Sequence, residues 1–186
     1  MEKLILETLN DLFDPSISGV TYAELGDIAA ISTGCQYAQF EWPREDLESC
    51  TVVKGIDGDG ILTTEEVYMR VTSRDQRKFT LSTGDILFKH NAGHTQLGVS
   101  ARVDFDHAVL HTRYLRIKPG TELDSRFLQL SLDMVKREGW WRGIATKKGN
   151  LSYLVMDDLK RIQVPWLSID EQKRIAAQYF ARPMCA

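Results

Sequence analysis

Gly55–Glu66, GIDGDGILTTEE, is spaced like a calcium-binding EF-hand loop, with Asp57, Asp59, Gly60, Leu62 and Glu66 at its third, fifth, sixth, eighth and twelfth positions. The first position, an aspartate in such loops, is Gly55, so a hard-cation ligand and its charge are lost. The flanks fail as well. Thr51, Val52 and Val53 favour strand, and Pro43 stands upstream of where an entering helix belongs. A turn between two strands fits this stretch better than a calcium site. His90-x3-His94 and His107-x3-His111 invite a zinc reading, but that spacing joins two imidazoles only on a helix. Ala92-Gly93 puts the first pair in a loop. The second enters a strand, where residues four apart lie roughly 13 Å from one another. Glu171-x-Lys173 matches the end of a nuclease carboxylate–lysine motif, yet it stands at a capped helix start, where Glu171 already has structural work. There is no nucleophile elbow, phosphate loop or dinucleotide fingerprint, and no Asn/Asp-Pro-Pro-Tyr methyltransferase segment. The sequence points to no catalytic residues, no metal and no cofactor.

Recognition chemistry remains. Lys89–Gln96 is a polar loop at a strand end, rich in groups that read base edges: Lys89, His90, Asn91, His94 and Gln96. Asparagine and glutamine pair bidentately with adenine. The second such stretch is Trp140–Asn150, WWRGIATKKGN. Between Lys136 and Asn150 stand Lys136, Arg137, Arg142, Lys147 and Lys148 against Glu138 alone. Basic groups interleaved with glycine suit phosphate contacts, for which Arg142, Thr146, Lys147, Lys148 and Asn150 are the candidates. Trp140 reads as core. Gln36 and Tyr37, after Gly34, are further base-reading candidates.

The elements that must position these groups follow from periodicity. Glu2–Phe13 is an amphipathic helix stopped by Pro15. Tyr22–Ile31 mixes a short strand with a turn or short helix, and Cys35–Glu48 has no clear assignment. Thr51–Lys54 and Ile61–Val71 read as strands around Gly55–Gly60. Asp85–Lys89, Leu97–Val103 and Ala108–Lys118 read as further strands. Asp124 caps a helix over Ser125–Glu138, Gly139 ends it, and Trp140–Asn150 reads as loop. Asp157 caps one turn at Asp158–Lys160. In Leu159–Gln178 a short buried strand ends at Pro165, which cannot donate to a ladder. Ser168 and Glu171 then form a capping box and launch a helix. A hydrophobic staple is missing, because Gln172 stands where the apolar partner of Leu167 belongs. The class is α+β, with a curved, mostly antiparallel β-sheet and flanking helices.

At 186 residues, 43% hydrophobic and 26% charged, the chain suits one globular domain with a real core. No run approaches the roughly 20 apolar residues of a membrane helix. MEKLILETLNDLFDP, with its acids, is no secretory signal. Cys35, Cys50 and Cys185 are odd in number and widely spaced, which suits a reduced, cytoplasmic protein. Net charge is −3, unevenly spread: residues 1–66 carry −11 and residues 67–186 carry +8. Such a split suggests an acidic and a basic face.

In order, these residues resemble one target-recognition domain of the DNA specificity subunit of type I restriction–modification systems. Leu25-Gly26-Asp27-Ile28 with Ser32-Thr33-Gly34 resembles the family's opening, and Leu81–Phe88, LSTGDILF, its central strand. The polar loop, Gly98–Ala101, Tyr114–Ile117, Phe127–Leu132 and Lys147–Gly149 follow. Glu171-Gln172-Lys173-Arg174-Ile175 matches the closing motif. The resemblance implies residues 1–16 as an N-terminal helix, 17–167 as the recognition domain and 168–186 as the start of a spacer and docking helix. It implies reading of one half of a bipartite double-stranded DNA target, with no catalysis. Methyltransferase subunits would dock through Glu171, Gln172, Arg174 and Ile175, and the restriction motor would join indirectly. One domain and a helix of roughly three turns imply a truncated or excised domain, or a half-subunit that self-associates. Arg182-Pro183-Met184 continues a helix poorly and favours truncation or a natural frameshifted end. The alternative expectation is an assembly module of the same system that does not itself read DNA.

Overall fold

The computed structural model describes Leu12 and residues 19–57, 60–93 and 95–181. The expected N-terminal helix, apart from Leu12, therefore lies outside the described residues, as do Asp59, His94, Cys185 and the segment from Arg182. Leu12 packs on the main core, and its carbonyl accepts a 2.9 Å hydrogen bond from the Tyr22 hydroxyl.

The elements in order are β1 (Tyr22–Glu24), α1 (Leu25–Ile28), β2 (Ala29–Thr33), β3 (Glu48–Ile56), β4 (Leu62–Met69) and α2 (Ser73–Phe79). Next come β5 (Ile86–Phe88), β6 (Asn91–Ala92), β7 (Ser100–Arg102), β8 (Leu115–Pro119), α3 (Ser125–Arg137) and α4 (Trp141–Ile144). The chain closes with β9 (Thr146–Lys148), β10 (Leu151–Tyr153), α5 (Met156–Lys160), β11 (Gln163–Pro165) and α6 (Ile169–Phe180). Helices and antiparallel strands mix as the α+β expectation had it, and among the described residues no barrel closes. The strands fall into four small sheets, ordered β2-β8-β5-β7, β6-β10-β9, β3-β4 and β1-β11.

Local chemistry explains most boundaries. Asp124 accepts from the amides of Arg126 and Phe127, each at 3.0 Å, and so caps α3. The apolar stripe of α3, including Phe127, Leu128, Leu130 and Met134, closes over β5 and β8. Pro165 ends β11 opposite Tyr22, at the limit of a two-stranded ribbon where its missing donor costs no ladder bond. The capping box of α6 forms as expected: Ser168 Oγ accepts from the Glu171 amide at 3.4 Å, and Glu171 Oε2 accepts from the Ser168 amide at 3.3 Å.

Asp157 does not cap α5, whose N-cap is Val155 with no side-chain cap bond and whose first turn contains Asp157, and four further expectations need correction. Trp141, not Trp140, is the core tryptophan: it is 3% exposed against 40% for its neighbour. Its ring meets Phe88 edge-on at 5.2 Å, and it lies on Gly98, where a Cβ would come within 2.3 Å of the indole nitrogen. Only glycine also accepts the φ of 78° there without strain. Second, Trp140–Asn150 is not a loop, since it holds α4 and β9. Third, Ala108–Lys118 is not one strand. Val109 bonds to Thr51 and Leu110 to Phe79, so this segment laces neighbouring layers together, and the ladder begins only at Leu115. Fourth, α2 has no counterpart in the sequence reading. Thr72-x-x-Asp75 was its signal: the Asp75 amide donates to the Thr72 hydroxyl at 3.2 Å, capping the turn.

Candidate nucleic-acid interface

The four-stranded sheet gathers chain segments at one rim. Thr33 pairs with Leu115, Leu115 with Phe88, and Phe88 with Ser100. Gly34–Tyr37 therefore leaves the sheet at the same end as Lys89–Gln96, with β8 between them. Two strand spacings separate these exits, about 10 Å. Arg113, exposed, arrives at that rim just before β8.

A second, smaller sheet grows from the rim and joins the two polar stretches that the sequence singles out. Asn91 and Ala92 pair with Tyr153 and Ser152, and these pair with Thr146 and Lys147. Leu151 pairs with Lys148 across the two-residue turn Gly149-Asn150. Gly149 has φ 61°, the left-handed backbone that a tight hairpin needs at its first central position. Pleating then sorts the faces. Ala92 and Ser152 are buried. Asn91, Thr146 and Lys148 are exposed and Tyr153 half-buried, so the row Asn91–Tyr153–Thr146 and the pair Leu151–Lys148 share the outward face. Below, the Leu154 amide bonds the His90 carbonyl at 2.9 Å and fixes the sheet to the rim.

The expected site residues divide by what already engages them. Asn91, Thr146, Lys147, Lys148 and Asn150 are exposed on or beside this sheet, and His90 is half-buried at its base. Gln36 is exposed on the rim. Tyr37 donates its hydroxyl to Asp75 at 2.7 Å, and that bond lifts the phenol above its usual range. Lys89 is turned inward, its ammonium donating to the Ile56 carbonyl and to Gln96 Oε1, each at 3.1 Å. Burial, with Lys136 nearby, pulls its pKa below the ordinary lysine value. Lys89 and Gln96 thus brace the loop. Arg142 stands on α4, while His94 lies outside the described residues.

On α6 the four expected docking residues also split. Gln172 is fully buried. Its Nε2 donates to the carbonyls of Glu122 at 3.0 Å and Leu167 at 2.9 Å, and its Oε1 accepts from the Asp124 amide at 2.8 Å. The missing hydrophobic staple is replaced by a buried amide that ties the starts of α3 and α6 together. Ile175 packs on the main core, and Glu171 caps the helix. Ser168's hydrogen bonds hold the Glu171 carboxyl below its ordinary pKa. Arg174 is exposed.

Three residues on this surface escaped the sequence reading: Arg113, Leu151 and Tyr153. The signal for the last two was Lys147-Lys148-Gly149-Asn150-Leu151, in which a Gly-Asn pair between short runs marks a two-residue hairpin. Arg113 gave no signal, because its place at the rim depends on the register of β8.

Among the described residues no three His, Cys, Asp or Glu side chains gather to hold an ion. Asp57 instead fastens its own turn, accepting from the Ile61 amide at 2.8 Å. Cys35 and Cys50 are buried free thiols whose pKa values burial raises. Among the described residues no helix is long and apolar enough to cross a membrane.

Comparison places the fold. No protein-family model matches the sequence, and no curated protein does. Among solved structures, the HsdS subunit from Thermoanaerobacter tengcongensis superposes with a TM-score of 0.67 and 18% identity, over 97% of this chain and 42% of that one. A chain from a type I R-M system, solved for its complex assembly and conformational transition, gives 0.64 and 17% over 97% of this chain and 43% of its own. The type I restriction-modification S subunit from M. genitalium gives 0.54 and 14% over 91% and 41%. The fold is shared with part of each of these chains, and the chain spans less than half the length of each.

Proposed function

We propose that this chain is the non-catalytic DNA-recognition component of a type I restriction–modification enzyme. It reads one half of a bipartite duplex target and brings methyltransferase subunits, and through them the restriction motor, to that site. The observation that carries this reading is the meeting of Lys89–Gln96 and Trp140–Asn150 in one three-stranded sheet. Separated by some fifty residues in the chain, they present an amide, hydroxyls and Lys148 outward, with Lys147 exposed on the edge strand's other side, on a fold shared with HsdS.

A two-stranded ribbon fits the major groove, where each base pair shows a distinct pattern of donors and acceptors. Asn91 supplies the bidentate amide for adenine. Lys147, Lys148 and the Thr146 hydroxyl grip phosphates and set the register without reading sequence. Gln36 and Arg113 flank the groove from the rim. The acidic first third of the chain faces away from DNA. Arg174 and the outer side of α6 meet the methyltransferase. The second half-site is read by another recognition domain, in a longer chain or in a second copy of this one.

Methylome sequencing of cells that carry this gene with a methyltransferase partner, against a deletion, tests the proposal. It expects adenine methylation at a bipartite motif that disappears with the gene. A methylome unchanged by the deletion, together with no salt-sensitive duplex binding, overturns it.

A further inference from the structure

Leu151 is 41% exposed at the hairpin mouth, beside Lys148. A single exposed leucine needs no explanation on its own. Its company gives it one. The next residue, Ser152, turns inward and is 5% exposed, so Leu151 shares the outward face with Asn91, Tyr153 and Thr146. It is the apolar member of a face otherwise built from amide, hydroxyls and ammonium. It lies diagonal to Asn91, about 7 Å away across the ladder. That span is about two base-pair steps at a rise of about 3.4 Å. The apolar group that the major groove offers is the C5 methyl of thymine.

Resting on the DNA-recognition proposal above, we infer that Leu151 is a specificity residue that reads a thymine methyl about two base pairs from the position read by Asn91. The leucine covers the methyl and removes both from water, and a base without that methyl loses the contact while keeping its hydrogen-bonding edge.

The test is binding selection by the full chain, supplied with a type I modification subunit, from two randomised duplex libraries. One library contains thymine and the other uracil, which lacks only the C5 methyl. The wild type should enrich a motif with a fixed thymine whose preference drops about fourfold in the uracil library, the worth of roughly one buried methyl group. Leu151→Ala should show the reduced preference in both libraries, with an unchanged melting temperature, and Leu151→Met should recover part of it. A motif whose thymine preference is identical in both libraries, and unaffected in Leu151→Ala, overturns the inference and leaves the DNA-recognition proposal standing. No enriched motif in either library overturns that proposal and this inference with it.

Discussion

Asn91 and Gln172 carry the same functional group and meet opposite fates. The amide of Gln172 is fully buried and makes three hydrogen bonds to the backbone between α3 and α6. The amide of Asn91 stands exposed on the outward face of the β6-β10-β9 sheet. Lys89 and Lys148 repeat the contrast, the first bonded to a carbonyl and an amide oxygen, the second exposed beside the hairpin turn. A polar side chain in a buried clasp is spent on folding, and one on the small sheet stays exposed to solvent. Substitutions in the first region should cost stability and those in the second should cost binding alone.

The sharpest break is at Gly98, which supports both the rim and Trp141. Gly98→Ala should destabilise by about 4 kcal/mol, combining positive-φ strain with a clash against the indole. Denaturant unfolding measures it, and a loss under about 1 kcal/mol would mean that the Trp141 seat yields. Gln172→Ala should cost about 3 kcal/mol, because two carbonyls and an amide lose partners at once. Asn91→Ala should leave stability within about 0.5 kcal/mol while relaxing base preference. Equal stability losses from these two would erase the contrast.

Asp133 tests the clasp side through pH. Burial pushes its carboxyl from 3.8 up to about 6, against the pull of the Ser100 hydroxyl bond at 3.3 Å and of Arg137. The folded state thus favours the protonated acid. Its contribution is complete below the unfolded value near 3.8 and is lost as pH rises through about 6. Asp133→Asn should therefore stabilise by about 2 kcal/mol at pH 7.5 and by almost nothing at pH 4. Melting curves of both proteins between those pH values check the sign. A smaller stability loss belongs to the α6 start, where Ser168→Ala should cost about 1 kcal/mol with no change in salt-dependent DNA binding.

Local signals in the sequence were reliable where one residue type has one physical use. The Asp124 cap, the Ser168–Glu171 box and the Pro165 stop stand where spacing placed them, whereas β3 runs on through Gly55 and Ile56, which were read as turn. Misreadings came where tertiary neighbours decide. Trp140 and Trp141 are adjacent and identical in type, and tertiary neighbours such as Gly98 and Phe88 determine which one is buried. Gln172 looked like an absent staple, since its partners Glu122 and Asp124 lie about fifty residues away. That Lys89–Gln96 and Trp140–Asn150 would form one sheet could not be read from either stretch, because β6 has only two residues and joins the sheet through β10. Their polar and basic character was legible and their meeting was not.

The salt dependence of duplex binding, measured with the modification partner supplied, tests the central claim most directly. Lys147→Ala/Lys148→Ala should weaken binding across all sequences and make the slope of log affinity against log salt shallower by about two, one per lost phosphate contact. Its unfolding midpoint should match the wild type. An unchanged slope in a folded double variant would contradict the assignment of the β9–β10 hairpin as the surface that grips DNA.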